Sequence, residues 1–136
     1  MLLFAFGTAK AVAPEPQETQ VVVSTHKPMT PQEIVAVKSK EYGVSEAVMR
    51  DIIECESGWN TTLQSRHVYT FSRPERGIYA GNREMSYGLV QIHLPDHPNV
   101  TYEQAIDPTF AVEFLAKHIR DGNLWMWTCA KIRGHA

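Results

Sequence analysis

The feature that most limits what this chain can fold into is a helix start signal, repeated along it and followed each time by apolar residues at helical spacing. Thr30-Pro31-Gln32-Glu33 holds a capping Thr, a Pro at the first helical position and a Glu three residues after the cap. Ile34, Val35 and Val37 then form an apolar side, and Gly43 supplies a stop. Ser45 opens the next stretch, in which Val48, Met49, Ile52, Ile53 and Glu56 recur at helical spacing. Thr101-Tyr102-Glu103-Gln104 is a further capping box, for a short helical turn. Asp107-Pro108 opens a longer helix carrying Phe110, Ala111, Phe114, Leu115, His118 and Ile119, with Gly122 as its stop. The pattern predicts a mainly α (α+β) chain.

Residues 61–85 lack helical periodicity. His67-Val68-Tyr69-Thr70-Phe71 alternates in polarity, and Ile78-Tyr79-Ala80-Gly81 follows a Pro/Gly turn, so a small β-hairpin is expected there. Ser86-Tyr87-Gly88-Leu89-Val90-Gln91-Ile92 is a compact apolar segment reached through Gly, and residues 93–98 read as a loop. Residues 14–29 are rich in Pro and polar groups and read as a linker, with Val21-Val22-Val23 as a stray strand at most. The ordered domain is placed at residues 30–130, and residues 131–136 are expected to be a frayed tail. Residues 1–13 are apolar, then small, like the end of a secretory signal cut after Ala13; no Lys or Arg precedes the apolar run.

At 136 residues there is room for one domain. The net charge is -2 and no basic block exists, which argues against nucleic acid as the main partner. No apolar run approaches the roughly 20 residues that a membrane-spanning helix needs. The chain has 2 cysteines, Cys55 and Cys129. In an exported chain they pair most simply, closing a loop that contributes about 4 kcal/mol in the chain-entropy account; the other reading is two buried thiols.

Ile52-Ile53-Glu54-Cys55-Glu56-Ser57-Gly58 runs from apolar to acidic and into a helix stop. Glu56 therefore falls in the last turn of a helix, where the backbone dipole is negative and disfavours a carboxylate. Apolar neighbours add to that. This combination produces an uncharged carboxylic acid near neutral pH, the proton donor that glycoside cleavage requires. A solvated acid at a helix end is the plainer reading of the residue taken alone.

Glu56-Ser57-Gly58-Trp59-Asn60 followed by Ser86-Tyr87-Gly88-Leu89-Val90-Gln91-Ile92 resembles the lytic transglycosylase family, which shares a lysozyme-like fold with goose-type lysozymes. The resemblance covers residues 31 to 129 or so. It implies a lysozyme-like domain with a cleft, Glu56 as catalytic acid/base, Ser57 as the serine that orients the sugar, and Gly88 and Gln91 in the segment that shapes the cleft floor and contacts glycan. Ser86 and Tyr87 precede that segment. Val90 stands where the family has Met. A Tyr that supports the catalytic Glu in many members has no counterpart in Trp125-Met126-Trp127-Thr128-Cys129, which leaves Tyr79, Tyr87 and Tyr102 as candidates. A Cys55–Cys129 bond would brace Glu56 by another route. The implied substrate is peptidoglycan and the implied location extracytoplasmic, in a bacterial or phage setting.

A lytic transglycosylase needs one Glu, because the muramyl C6 hydroxyl attacks within the substrate. A hydrolase usually adds a second carboxylate. Glu84 is the possible second carboxylate, with a surface charge as its plainer reading; Glu54 should face away from Glu56. Trp59, close after Glu56, is the expected sugar-stacking residue, while Trp125 and Trp127 are expected in the core. His93 and His97 lack a third ligand, and Pro95 between them argues against a shared helix face, so no metal is expected. No cofactor is expected, and a monomer is. A muramidase-type hydrolase and a non-catalytic peptidoglycan-binding module are the alternative readings. Asn60-Thr61-Thr62 and Asn99-Val100-Thr101 match the glycosylation triplet without consequence for the argument.

Overall fold

Each start signal operates as its side chains allow. The Thr30 hydroxyl accepts from the Glu33 backbone N–H at 3.2 Å, and the Glu33 carboxylate accepts from the Thr30 N–H at 2.9 Å. This opens α1 (Pro31–Tyr42), which ends where Gly43 takes φ 66°. Ser45 accepts from the Val48 N–H and opens α2 (Glu46–Ser57), which ends at Gly58, φ 57°. The box at Thr101 opens α3 (Tyr102–Ala105), and Asp107 accepts from the N–H groups of Thr109 and Phe110 to open α4 (Pro108–Arg120). A short helix, α5 (Thr128–Ile132), follows. These elements belong to a computed structural model that describes residues 3–5, 7–19 and 27–136. Val21-Val22-Val23 and part of the signal-like segment lie outside the described residues. Residues 7–19 are exposed and carry no regular element.

The core forms where these helices turn their apolar sides inward. Met49, Ile52 and Ile53 of α2 are fully buried, as are Val112 and Leu115 of α4 and Val35 of α1. Leu89, Val90 and Ile92 fill the space beside them. Each such side chain removed from water contributes about 1.5–3 kcal/mol. Trp127 closes one end, its indole N–H donating to the Val90 carbonyl at 2.9 Å. The chain is thus mainly helical with one small sheet. Among the described residues, no helix is long and apolar enough to cross a membrane.

One expectation is met in part and one needs correction. The two runs around the Pro/Gly turn do pair antiparallel, but as isolated bridges rather than as a continuous ladder: Gln64 with Tyr87, Val68 with Arg83 and Arg73 with Ile78, around a 3-10 turn at Pro74–Arg76. Pro74 has no N–H for a ladder, and the Ser72 hydroxyl takes the Ala80 N–H. The regular antiparallel strand pair is β1 (Ser86–Tyr87) with β2 (Ile92–His93). The stretch from residue 131 on is no frayed tail. Arg133 donates to one Asp51 oxygen at 3.0 Å, and His135 meets the other at 2.6 Å. Asp51 on α2 thereby fastens the chain beyond α5.

The turn between β1 and β2 is packed too tightly for any side chain but hydrogen at one position. Gly88 has φ 82°, and a Cβ there would lie 2.0 Å from the Ala105 carbonyl oxygen of α3. Gln91, three residues on, adopts φ 50°, a conformation that a non-glycine residue holds only with compensation. Its side-chain amide donates to the carbonyls of Leu63 and Gly88, at 2.9 and 3.0 Å.

Candidate active site

The end of α2, the loop at 63–71, the β1–β2 pair and the segment 125–132 surround a cleft of about 1220 Å³. Glu56 lies on its wall, one residue before the buried Ser57. The Ser57 hydroxyl donates to the Ile53 carbonyl at 3.1 Å, which ties it to the helix it ends. Burial pushes the Glu56 carboxyl up from 4.5 to about 7. The Cys129 backbone N–H and the charge of His67 pull the other way, and the charge of Glu84 adds to the rise. Burial outweighs the rest because a carboxylate loses far more hydration than one N–H returns. At neutral pH the group holds a proton about half the time, which suits both giving and taking one.

A disulfide joins Cys55 and Cys129, with Cα atoms 5.9 Å apart and a sequence separation of 74. It fixes the start of α5 against the residue beside Glu56. None of Tyr79, Tyr87 and Tyr102 braces the acid. Tyr79 is half exposed away from the cleft, and Tyr87 and Tyr102 pack edge to face at 5.0 Å. The Cys129 backbone faces Glu56 in their place.

Glu84 lines the same cleft and is partly buried. The Ser86 hydroxyl, itself buried, donates to it at 2.6 Å. It is therefore no free surface charge. Glu54 is exposed and outside the cleft, as its place on α2 requires. Gln91 lines the cleft with both amide hydrogens already committed, which leaves its side-chain oxygen as the group able to accept a further hydrogen bond.

Three expected site residues lie elsewhere. Trp59 adopts φ 68° after the helix stop, which turns it from the cleft to the core edge, under the Arg50 guanidinium at 5.9 Å. Tyr87 points to Tyr102, and Gly88 is covered by Ala105. The exposed aromatic faces of the cleft are Trp125, 65% accessible, and Phe71, 51% accessible, while Trp127 in its lining is buried.

The structure adds residues that periodicity did not single out. His67, Tyr69 and Phe71 all line the cleft, consistent with the alternation of that stretch. The Tyr69 hydroxyl accepts from the Met85 N–H at 3.0 Å and shares a 2.8 Å bond with His93 Nε2. His93 Nδ1 is 2.8 Å from Asp96, which Arg76 also holds. His97 packs instead against Phe114 and His118. Pro95 thus separates two histidines that serve different networks. Arg66 also lines the cleft.

Comparison with protein-family models, curated proteins and solved structures found no match for the chain. The class is therefore defined by the molecule itself: a mainly helical domain, closed by one disulfide, with a protonatable glutamic acid in a large cleft of mixed polar and apolar lining.

Proposed function

We propose that this is a peptidoglycan-cleaving enzyme of the lytic transglycosylase type, built on a lysozyme-like fold and acting outside the cytoplasm. The observation that carries the reading is Glu56, a carboxyl held near 7 by burial on the wall of a cleft of about 1220 Å³. In the reaction, Glu56 gives its proton to the oxygen joining MurNAc to GlcNAc, and the C1–O bond breaks. The muramyl C6 hydroxyl attacks C1, a C1–O6 bond forms, and the Glu56 carboxylate takes the O6 proton. The acid is restored and no water is consumed. A general acid at such a bond contributes roughly 10²–10⁴ in rate. Ser57 follows the acid in the chain, Gln91 lines the same cleft, and Trp125 offers a face for a sugar ring. The disulfide is compatible with an oxidising compartment.

A hydrolytic reading is favoured by one observation, Glu84, which lines the cleft and acts on Glu56 through its charge. A carboxylate so placed can activate water. We favour the transglycosylase because the motif pair that Glu56 and Gln91 belong to resembles that family. Digestion of purified peptidoglycan followed by mass spectrometry separates the readings. Anhydromuramyl ends are expected from the wild type and not from Glu56→Gln. Reducing ends would establish the hydrolase, and no soluble product would leave a binding module.

A further inference from the structure

Of the seven arginines, six have a defined partner among the described residues. Arg50 pairs with Glu46, Arg76 with Asp96, Arg120 with Asp121 and Arg133 with Asp51. Arg83 donates to the carbonyls of Gln64 and Ser65, and Arg73 lies 5.4 Å over the Phe71 ring. Arg66 has neither an ion pair nor a hydrogen bond among the described residues, and it is the one that lines the cleft beside His67.

The segment carrying Arg66 is pinned on both sides. The Ser65 N–H donates to the Ser86 carbonyl at 2.9 Å, the Glu84 N–H to the His67 carbonyl at 2.8 Å, and the His67 N–H to the Ser65 hydroxyl at 3.2 Å. The backbone that presents the guanidinium is therefore preorganised, so binding orders little more than one side chain. The acids that share the cleft are otherwise engaged. Asp96 is taken by Arg76 and His93, Glu84 by Ser86, and Glu56 is half protonated near pH 7. A fixed backbone with a free planar cation suits a carboxylate, which a guanidinium grips with two parallel hydrogen bonds.

We propose that Arg66 forms a carboxylate-binding subsite, and that the cleft selects glycan whose stem peptides carry free acid groups. The proposal rests on the glycan-binding reading above and names which form of that glycan the cleft prefers. His67, next along the loop, adds a second donor to the same wall.

The test reads binding rather than cleavage, in the full-length Glu56→Gln chain. Soluble glycan fragments with intact stem peptides are titrated beside the same fragments with every peptide carboxyl amidated. The acid form is expected to bind about fivefold tighter, the upper range for an ion pair that solvent can reach. Arg66→Ala brings that ratio to about one, and Arg66→Lys retains part of it because the charge persists without the fork. A ratio of one in the parent chain, or an unchanged ratio in Arg66→Ala, overturns the subsite. Failure of the cleavage reading looks different: the ratio persists while the wild type releases no product. If neither fragment binds, both proposals fall.

Discussion

The Cys129 backbone N–H faces the Glu56 carboxyl, and the Cys129 side chain is bonded to Cys55, the residue just before that acid. One residue of α5 thus touches the acid electrostatically and its helix covalently.

Breaking this bond should cost stability first. A closed loop of this length contributes about 4 kcal/mol to stability. Denaturant unfolding of the Cys55→Ala/Cys129→Ala chain should give a midpoint well below that of the wild type. An unchanged midpoint would show that packing of Trp127 and Ala130 alone holds α5 in place.

The raised Glu56 carboxyl sets a pH dependence of folding. Its folded value lies above the unfolded one, so the folded chain holds more protons than the unfolded chain between pH 4.5 and about 7. Stability therefore falls as pH rises through that window, and the loss is complete above it. Allowing for partial solvent access, the loss is about 2 kcal/mol. Glu56→Gln should be more stable than the wild type by that amount at pH 8 and little different at pH 4. Paired chemical melts at the two pH values check it, and equal differences at both would contradict the burial argument.

Glu84 raises Glu56 through charge. In Glu84→Gln the Glu56 carboxyl should lose its proton more readily, and the high-pH limb of the proposed cleavage should move to lower pH. The measurement is a pH–rate profile. A fall on the order of 10³-fold at every pH, the cost of losing a required base, would instead support the hydrolytic reading.

Two glycines separate crowding from backbone preference. Gly58 needs a left-handed conformation, with no atom near an added Cβ, so Gly58→Ala should cost about 1 kcal/mol. Gly88 needs such a conformation and also meets the Ala105 carbonyl, so Gly88→Ala should cost about 3 kcal/mol. Thermal melts of the two variants give the comparison.

The helices were legible because their caps are local. Thr30, Ser45, Thr101 and Asp107 each bond within three residues of themselves. The place of Glu56 followed from Gly58, and the cysteine pairing from there being two. Trp59 was misplaced because its direction depends on a positive φ that residue type does not reveal. Glu84 was hard to weigh and Arg66 was not singled out, because the loop that carries them is set by bonds between residues about 20 apart, such as Arg83 with Ser65. The two runs around the Pro/Gly turn were legible as antiparallel partners, but the breaks that reduce their ladder to isolated bridges were not.

The surroundings that set the proton affinity of Glu56 come from distant parts of the chain, since Glu84, whose charge raises it, and Cys129, whose N–H lowers it, both follow it. While the chain is being made, the helix carrying Glu56 can form long before residue 129 exists. Until the residues that wall the cleft are in place, those of α5 among them, that side chain keeps its hydration and is an ordinary, ionised glutamate. Any chemistry that depends on its proton is therefore withheld from the nascent chain and appears only with the completed, oxidised fold.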